Sequence, residues 1–299
     1  MCLVDSDMVI EWWVAAAVYN FAEKGRVELS RDVKKLFFGR VDVGPMRDEN
    51  SGPGTMEVGE AFQAGTKYRR GMLPRGGLRF ELPPREKEYP GSERVALPAP
   101  RVTGGPPLWR VVAERRSVRS FAEEALSLEE ASQALWAATG VTALAGNFAF
   151  RAAPSAGALY PVETYLVARL VEDLSPGVYH YHVRDHALEL VGGGEGSAVE
   201  LARAALDQRM VARAAASVVW TAVIGRSAWK YAQRAYRYVY LDAAHVAQNF
   251  MLAATGLGLG TCGIGAFYDD EVNRVVGVDG VEETALYICV VGRPARKRR

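Results

Sequence analysis

At 299 residues, 49% of them hydrophobic, the chain can bury the core of one large domain or two small ones. Thirty-six basic residues against thirty-five acidic ones leave a net charge of +1, which excludes both a nucleic-acid footprint and a field built for acidic substrates. Cys2, Cys262 and Cys289 are too few and too widely spaced for a disulfide framework, and no C-x-x-C pair suggests structural zinc, so a reducing, cytoplasmic setting is expected.

The opening, "MCLVDSDMVIEWWVAAAVYNF", is acidic where a signal peptide would be basic. Glu11 interrupts it, and no run reaches the roughly 20 apolar residues of a membrane span. Trp12, Ala16, Tyr19 and Ala22 fall on one face, which predicts a helix over 8–40. From Val41 to Pro107 glycine and proline are dense, as in "GPMRDENSGPGT" and "TGGPPL", so this stretch is expected to resist regular structure as a linker or an extended arm. The compact part is expected from Leu108.

Ser127-Leu-Glu-Glu130 reads as a capping box, opening a helix that stops at Gly140. Thr164 to Arg169 reads as a buried strand, and "GVYHYHVRDHALELV" as a hairpin turning at Arg184-Asp185. Alanine-rich 198–216 is expected to be one helix. "SVVWTAVI" and "TALYICVV" are β-branched and apolar, hence central strands, and Tyr236 to Ala254 reads as a long helix with Val239, Ala243, Val246, Phe250 and Ala253 on one face. Hairpins mixed with helices point to an α+β domain.

Within that frame Gly258-Leu-Gly-Thr-Cys-Gly263 is a literal G-x-G-x-x-G. A nicotinamide loop must follow a strand, open a helix and find an acidic residue about 20 positions later. Here the glycines follow a helix, and Asp269-Asp270 come too soon. The glycines instead end a helix and let backbone approach something flat or anionic.

Two further segments carry chemistry. "ERRSVRSF" sets Arg115, Arg116, Ser117 and Arg119 within five positions, guanidinium forks and a hydroxyl suited to phosphate oxygens, with the charged face of a surface helix as the plain alternative. "RAAPSAGALYP" sets Pro154, Ser155, Ala156, Gly157 and Ala158 just before a strand, small enough for a planar ring to lie on backbone; an ordinary tight turn is the alternative. His180, His182 and His186 form H-x-H-x-x-x-H, with the first two on one strand face and the third beyond the turn; no carboxylate or cysteine pattern supports a metal site there. His245 is expected to be packed and hydrogen-bonded, and Cys262, with no basic neighbour in sequence, to be a small packing residue.

In order along the chain, "RRSVRSF", "PSAGALYPVETY", "PGVYHYHVRDHALEL", "KYAQRAYRYVYLDAAHVAQNF", "GLGTCGIGAFYDDEVN" and the final "VGRP" resemble the FMN-dependent nitroreductase superfamily, and within it the SagB-type dehydrogenases that oxidise azolines to azoles. "TKYRRGMLP" is similar to the lead-in of that group. The resemblance implies a nitroreductase-like α+β fold, a mostly antiparallel sheet flanked by helices, in a domain-exchanged homodimer with FMN at the interface. It implies that Arg115, Arg116, Ser117 and Arg119 face the flavin phosphate and ribityl chain, and that Pro154 to Ala158 lie along the ring, usually from the other subunit. It places Gly263, Ile264 and Gly265 near the ring's N5 and Arg293 near the phosphate. Lys230-Tyr231 match a pair that helps remove the substrate proton; read without the resemblance they are a basic, aromatic helix edge.

The expected layout is therefore a helical extension over 1–55, an extended lead-in over 56–107, an FMN domain over 108–294 and a basic tail over 295–299. Expected partners are a second copy, a small-molecule or peptide substrate and a cyclodehydratase, with no nucleic acid and no membrane. A generic NAD(P)H-dependent reductase of nitro compounds or quinones, and a non-catalytic scaffold using the arm and tail, are the other readings.

Overall fold

The computed structural model describes residues 57–71, 82–146 and 148–295. The helix expected over 8–40 and the basic tail from 296 lie outside them. The chain divides into units 1–67 and 68–299. In the first, helix α1 spans Val58–Gly65, and the Thr66 hydroxyl closes its end on the Phe62 carbonyl.

The second unit is built on a seven-stranded sheet in the order β1-β6-β5-β4-β7-β9-β8, and every named pairing in it is antiparallel. The strands are β1 (Arg94–Ala96), β4 (Val162–Ala168), β5 (Gly177–His182), β6 (Ala187–Gly192), β7 (Ala216–Val223), β8 (Gly260–Ile264) and β9 (Glu283–Gly292). A separate hairpin pairs β2 (Val141–Ala145) with β3 (Phe148–Arg151). The helices are α2 (Leu108–Glu114), α3 (Leu128–Thr139), α4 (Ser197–Ala204), α5 (Arg209–Arg213), α6 (Gly225–Tyr231), α7 (Ala235–Gly256) and α8 (Asp269–Val276).

Strand alternation sorts the core into two layers. On one face Leu166, Val218 and Trp220 meet Leu135 of α3 and Val246 and Phe250 of α7. On the other Val167, Val219 and Ile288 meet Leu201 of α4, Val211 of α5 and Val272 of α8. The α+β architecture, an antiparallel sheet flanked by helices, is as expected. The Ser127–Glu130 capping box closes with both reciprocal bonds, and the hairpin turns at Arg184-Asp185.

Three elements differ. The expected helix over 198–216 breaks after Ala204, because Leu206 and Asp207 take left-handed φ of 56° and Ala216 is drawn into the ladder between Ala168 and Val291. Ladder bonds on both sides outweigh alanine's helix propensity there. On α7 the buried series ends at Ala254 rather than Ala253, four residues after Phe250. The Gly/Pro-rich stretch is not wholly irregular: it contains α1, and β1 pairs with β6 in register Val95↔Leu188.

The lead-in before β1 is held by polar groups. Lys87 reaches Glu283 at 2.6 Å and the Tyr165 hydroxyl at 2.8 Å, and Tyr89 shares that hydroxyl at 2.9 Å. Among the described residues no helix is long and apolar enough to cross a membrane.

Candidate active site

The Pro154–Ala158 loop leaves β3 and returns through Tyr160 to β4. Ala156–Ala158 form a single 3-10 turn with Gly157 at φ 63°, and Ala158 and Tyr160 are also left-handed at 52° and 47°. Non-glycine residues stay in that region only where their surroundings fix them. Asp242, buried on α7, does the fixing. Its carboxylate accepts from the Ser155 hydroxyl at 2.5 Å and from the Ala156 N–H at 3.1 Å. The Ser155 oxygen in turn accepts from the Tyr160 N–H at 2.9 Å. Burial raises the Asp242 pKa although the Ser155 and Ala156 bonds oppose it.

Lys230 and Tyr231 occupy the last turn of α6, which Ala232 ends with φ 47°. Their polar tips converge on this loop. A Cβ on Gly157 would overlap the Tyr231 hydroxyl and lie 2.8 Å from Lys230 Nζ. The ammonium sits 5.3 Å from the Tyr231 ring centroid, and Tyr238 packs edge-on against that ring at 4.8 Å. Arg234 lies over both Tyr238 and Tyr68, which completes a cluster that fixes the phenol's position.

The arginine segment lies elsewhere. Arg115 caps α2, and Arg116 donates to the carbonyls of Ala113 and Arg115, so "RRSVR" is extended chain following a helix end rather than the face of one. Ser117 bridges Thr261, and the Val118 N–H donates to the Thr261 carbonyl at 2.8 Å. Gly260 permits this crossing, since a Cβ there would stand 2.8 Å from Val118. Ser117 and Arg119 are exposed, while Thr261 Oγ1 beneath them is buried without a hydrogen-bond partner. Arg293 follows β9, with Nη1 2.9 Å from Glu130 and Nε 3.2 Å from Glu124.

The glycine-rich stretch becomes strand rather than open loop: β8 takes Gly260–Ile264, after Gly258 turns the chain with φ 77°. Tyr287, on β9, lays its hydroxyl over Gly263 where a side chain would otherwise be, and burial raises its pKa. Cys262 is buried with Sγ 3.7 Å from the Gly263 carbonyl, as a packing residue should be.

The histidines go separate ways. His180 is buried between Glu163 and Glu189, 3.0 Å from each. His182 stands 3.4 Å from Asp185, and His186 bonds Tyr181 at 2.7 Å and Ser132 at 2.8 Å. His245 corrects the expectation of a packed residue: it is exposed, because it falls on the outer face of α7, one position short of Val246.

The residues present fit FMN. Arg115, Arg119 and the Ser117 hydroxyl suit a phosphate, with the orphaned Thr261 hydroxyl beside them, and the small-residue loop at Ser155–Ala158 suits a flat ring. In one protomer, however, these halves are well apart. Asp242, which holds the ring loop, precedes the end of α7 at Gly256 by fourteen helical residues, about 20 Å, and the arginine segment crosses just beyond that end.

Sequence patterns could have flagged two of the residues not singled out. Asp242 is a carboxylate within an apolar helical stripe, and Arg151 is a charge beside the small-residue loop. Nothing in the sequence marks Tyr287, whose place over Gly263 depends on β8–β9 register.

A family model described as "Nitroreductase family" matches residues 112–293. The MJ1384 protein of Methanocaldococcus jannaschii, named for the same family, is 41% identical over 183 residues, 61% of this chain and 89% of that protein. The trifolitoxin-processing protein TfxB of Rhizobium leguminosarum bv. trifolii is 31% identical over 152 residues, 50% of this chain and 41% of TfxB, so the likeness spans less than half of that relative. The fold is shared with a chain of the E. coli microcin synthetase McbBCD complex, at a TM-score of 0.54 and 19% identity, covering 98% of each chain.

Proposed function

The chain belongs to the nitroreductase family, a family of oxidoreductases, and on that premise we propose that it is an FMN-dependent dehydrogenase of the SagB type, oxidising an azoline ring to an azole in a peptide or related small molecule. The observation that carries this reading is the convergence of Lys230 and Tyr231 on Gly157: an amine and a phenol meet the loop on which the ring system would lie. A generic reductase of nitro compounds or quinones abstracts no substrate C–H proton and so does not require a base at that place. TfxB, a processing protein for trifolitoxin, supports a peptide-derived substrate.

Azoline oxidation removes one proton and one hydride from adjacent ring atoms. FMN, when bound, would supply the two-electron acceptor for that hydride. In this reading Tyr231 takes the ring proton, with Lys230 beside it to stabilise the phenolate. Tyr238 restricts the phenol's rotation, and Asp242 holds the loop that both groups touch. Since ring loop and arginine segment are separated within one protomer, a homodimer in which each copy completes the other's site is part of the proposal. A cyclodehydratase that forms the azoline is the expected partner.

The test is turnover of a thiazoline probe by the FMN-loaded protein. Lys230→Ala and Tyr231→Phe should each lower turnover by about 10²-fold or more while FMN stays bound. Flavin bleaching by NADPH that is indifferent to both substitutions would favour the generic reductase. A protein that takes up no FMN would favour the scaffold.

A further inference from the structure

We propose that the cleft in front of Gly157 is an anion-recognition site in which Arg151 holds a carboxylate borne next to the reacting ring. This rests on the azoline reading and narrows its substrate to a ring-carboxylate class, as opposed to rings capped by neutral amides.

The cleft measures about 460 Å³. Its charged lining is one-sided: Arg85, Arg151, Arg184, Arg226 and Lys230 face a single carboxylate, Glu86. Two of these cations are neutralised within the protein, Arg226 by Glu163 at 2.5 Å and Arg184 by Glu86 at 2.7 Å. Arg85, Arg151 and Lys230 have no carboxylate partner among the described residues. Arg85 lies at the rim over Phe148, 5.4 Å from its ring centroid, and Lys230 touches Gly157.

Arg151 is the best placed of the three. It ends β3, its backbone N–H donates to the Tyr160 hydroxyl at 3.2 Å, and its guanidinium lies over the same ring at 4.8 Å. The fork is therefore oriented before any ligand arrives. It is half-buried: burial lowers its pKa, the charge of Glu163 opposes that, and the neighbouring Arg226 adds to it. A guanidinium in such a place without a counter-ion is costly, and an incoming carboxylate would both pair with it and accept two parallel hydrogen bonds. Because Lys230, Gly157 and Arg151 line one cleft, an anion on Arg151 would hold its ring towards the Lys230–Tyr231 pair. The flavin phosphate is the other anion available, but Arg115, Ser117 and Arg119 form a separate cradle that suits it.

The experiment uses the full-length, FMN-loaded protein and an unreactive pair of probes, 2-phenylthiazole-4-carboxylate and its carboxamide, measured by calorimetry. Expected is binding of the carboxylate at least about tenfold tighter than the carboxamide, as one charge-assisted pair supplies. Arg151→Met should erase the preference, Arg151→Lys should keep part of it, and added salt should reduce it in the wild type. Equal affinity for the two probes in the wild type overturns the proposal, and this comparison needs no variant. A preference that survives Arg151→Met in a protein with an unchanged melting curve overturns it as well. FMN and riboflavin titrations distinguish the sources of the anion: if Arg151→Met weakens FMN but not riboflavin, Arg151 serves the cofactor's phosphate and the proposal falls. Discrimination between the probes in a protein that oxidises no thiazoline would leave the anion site standing and remove the azoline reading alone.

Discussion

Gly157 shows how much one residue can constrain. Its φ of 63° is in the left-handed region, and the space a side chain would need is filled by Tyr231 and Lys230. Gly157→Ala should therefore act twice, costing about 1 kcal/mol through backbone strain and displacing the proposed base pair. The expected outcome is a modest drop in the urea midpoint with a much larger loss of thiazoline turnover; equal, small losses in both would mean that the pair does not use this contact. Asp242 makes a different kind of contribution. Replacing it by alanine leaves the Ser155 hydroxyl and Ala156 N–H without their acceptor, which should cost about 1–3 kcal/mol. FMN affinity should fall with it, because the loop loses its tether; titration of the variant with FMN measures this.

At the scale of elements, the strands carry a buried polar layer that binary patterning would not place there. Glu189 on β6, His180 on β5 and Glu163 on β4 run side by side, and Arg226 closes the row on Glu163. Imidazole donates from both ring nitrogens only when protonated, so His180 bridges two carboxylates as a cation. Burial works against that charge, yet hydrogen bonds and charge from Glu163 and Glu189 raise its pKa. For Glu163 burial also opposes ionisation, but Arg226 and His180 prevail and lower its pKa to about 2.

The two shifts have opposite pH signatures. Stability from a raised histidine is fully present below its ordinary value of about 6.5 and is lost as pH rises through the folded value. Stability from a depressed glutamate is present above 4.5 and is lost as pH falls from there through about 2. Urea unfolding across pH should therefore show wild type losing stability relative to His180→Gln on the alkaline side of 6.5. Parallel profiles would refute the charged bridge.

For the whole molecule, the distance between the two halves of the candidate site is what supports the proposed two-copy assembly. About 20 Å of α7 separates the loop at Ser155–Ala158 from the crossing of Ser117 and Val118. In a two-copy site, one chain's loop faces the other chain's arginines. Mixing and reassociating Arg115→Glu and Gly157→Ala proteins, each inactive alone, should then restore part of the turnover, since some dimers contain one undamaged site. Recovery of none would place the whole site within one chain.

The sequence by itself determined the α+β class, the capping box, the hairpin, the central strands and the long helix, because each is written in local periodicity and end signals. It also singled out the arginine and small-residue segments as candidates from neighbouring residues, whereas Lys230-Tyr231 stood out only through the family resemblance. It misread 198–216, where alanine's propensity lost to ladder pairing at Ala216, and of its two readings of the lead-in, linker or extended arm, the anchoring of Lys87 and Tyr89 on Tyr165 fits the arm. Only the tertiary structure decided that Lys230 and Tyr231 touch Gly157, that Asp242 holds their loop, and that Arg151 lines the cleft with no carboxylate partner among the described residues. Those contacts join residues tens of positions apart, and strand register and helix crossing create them. A local pattern can predict an element, but which side chains share one volume depends on how the elements pack.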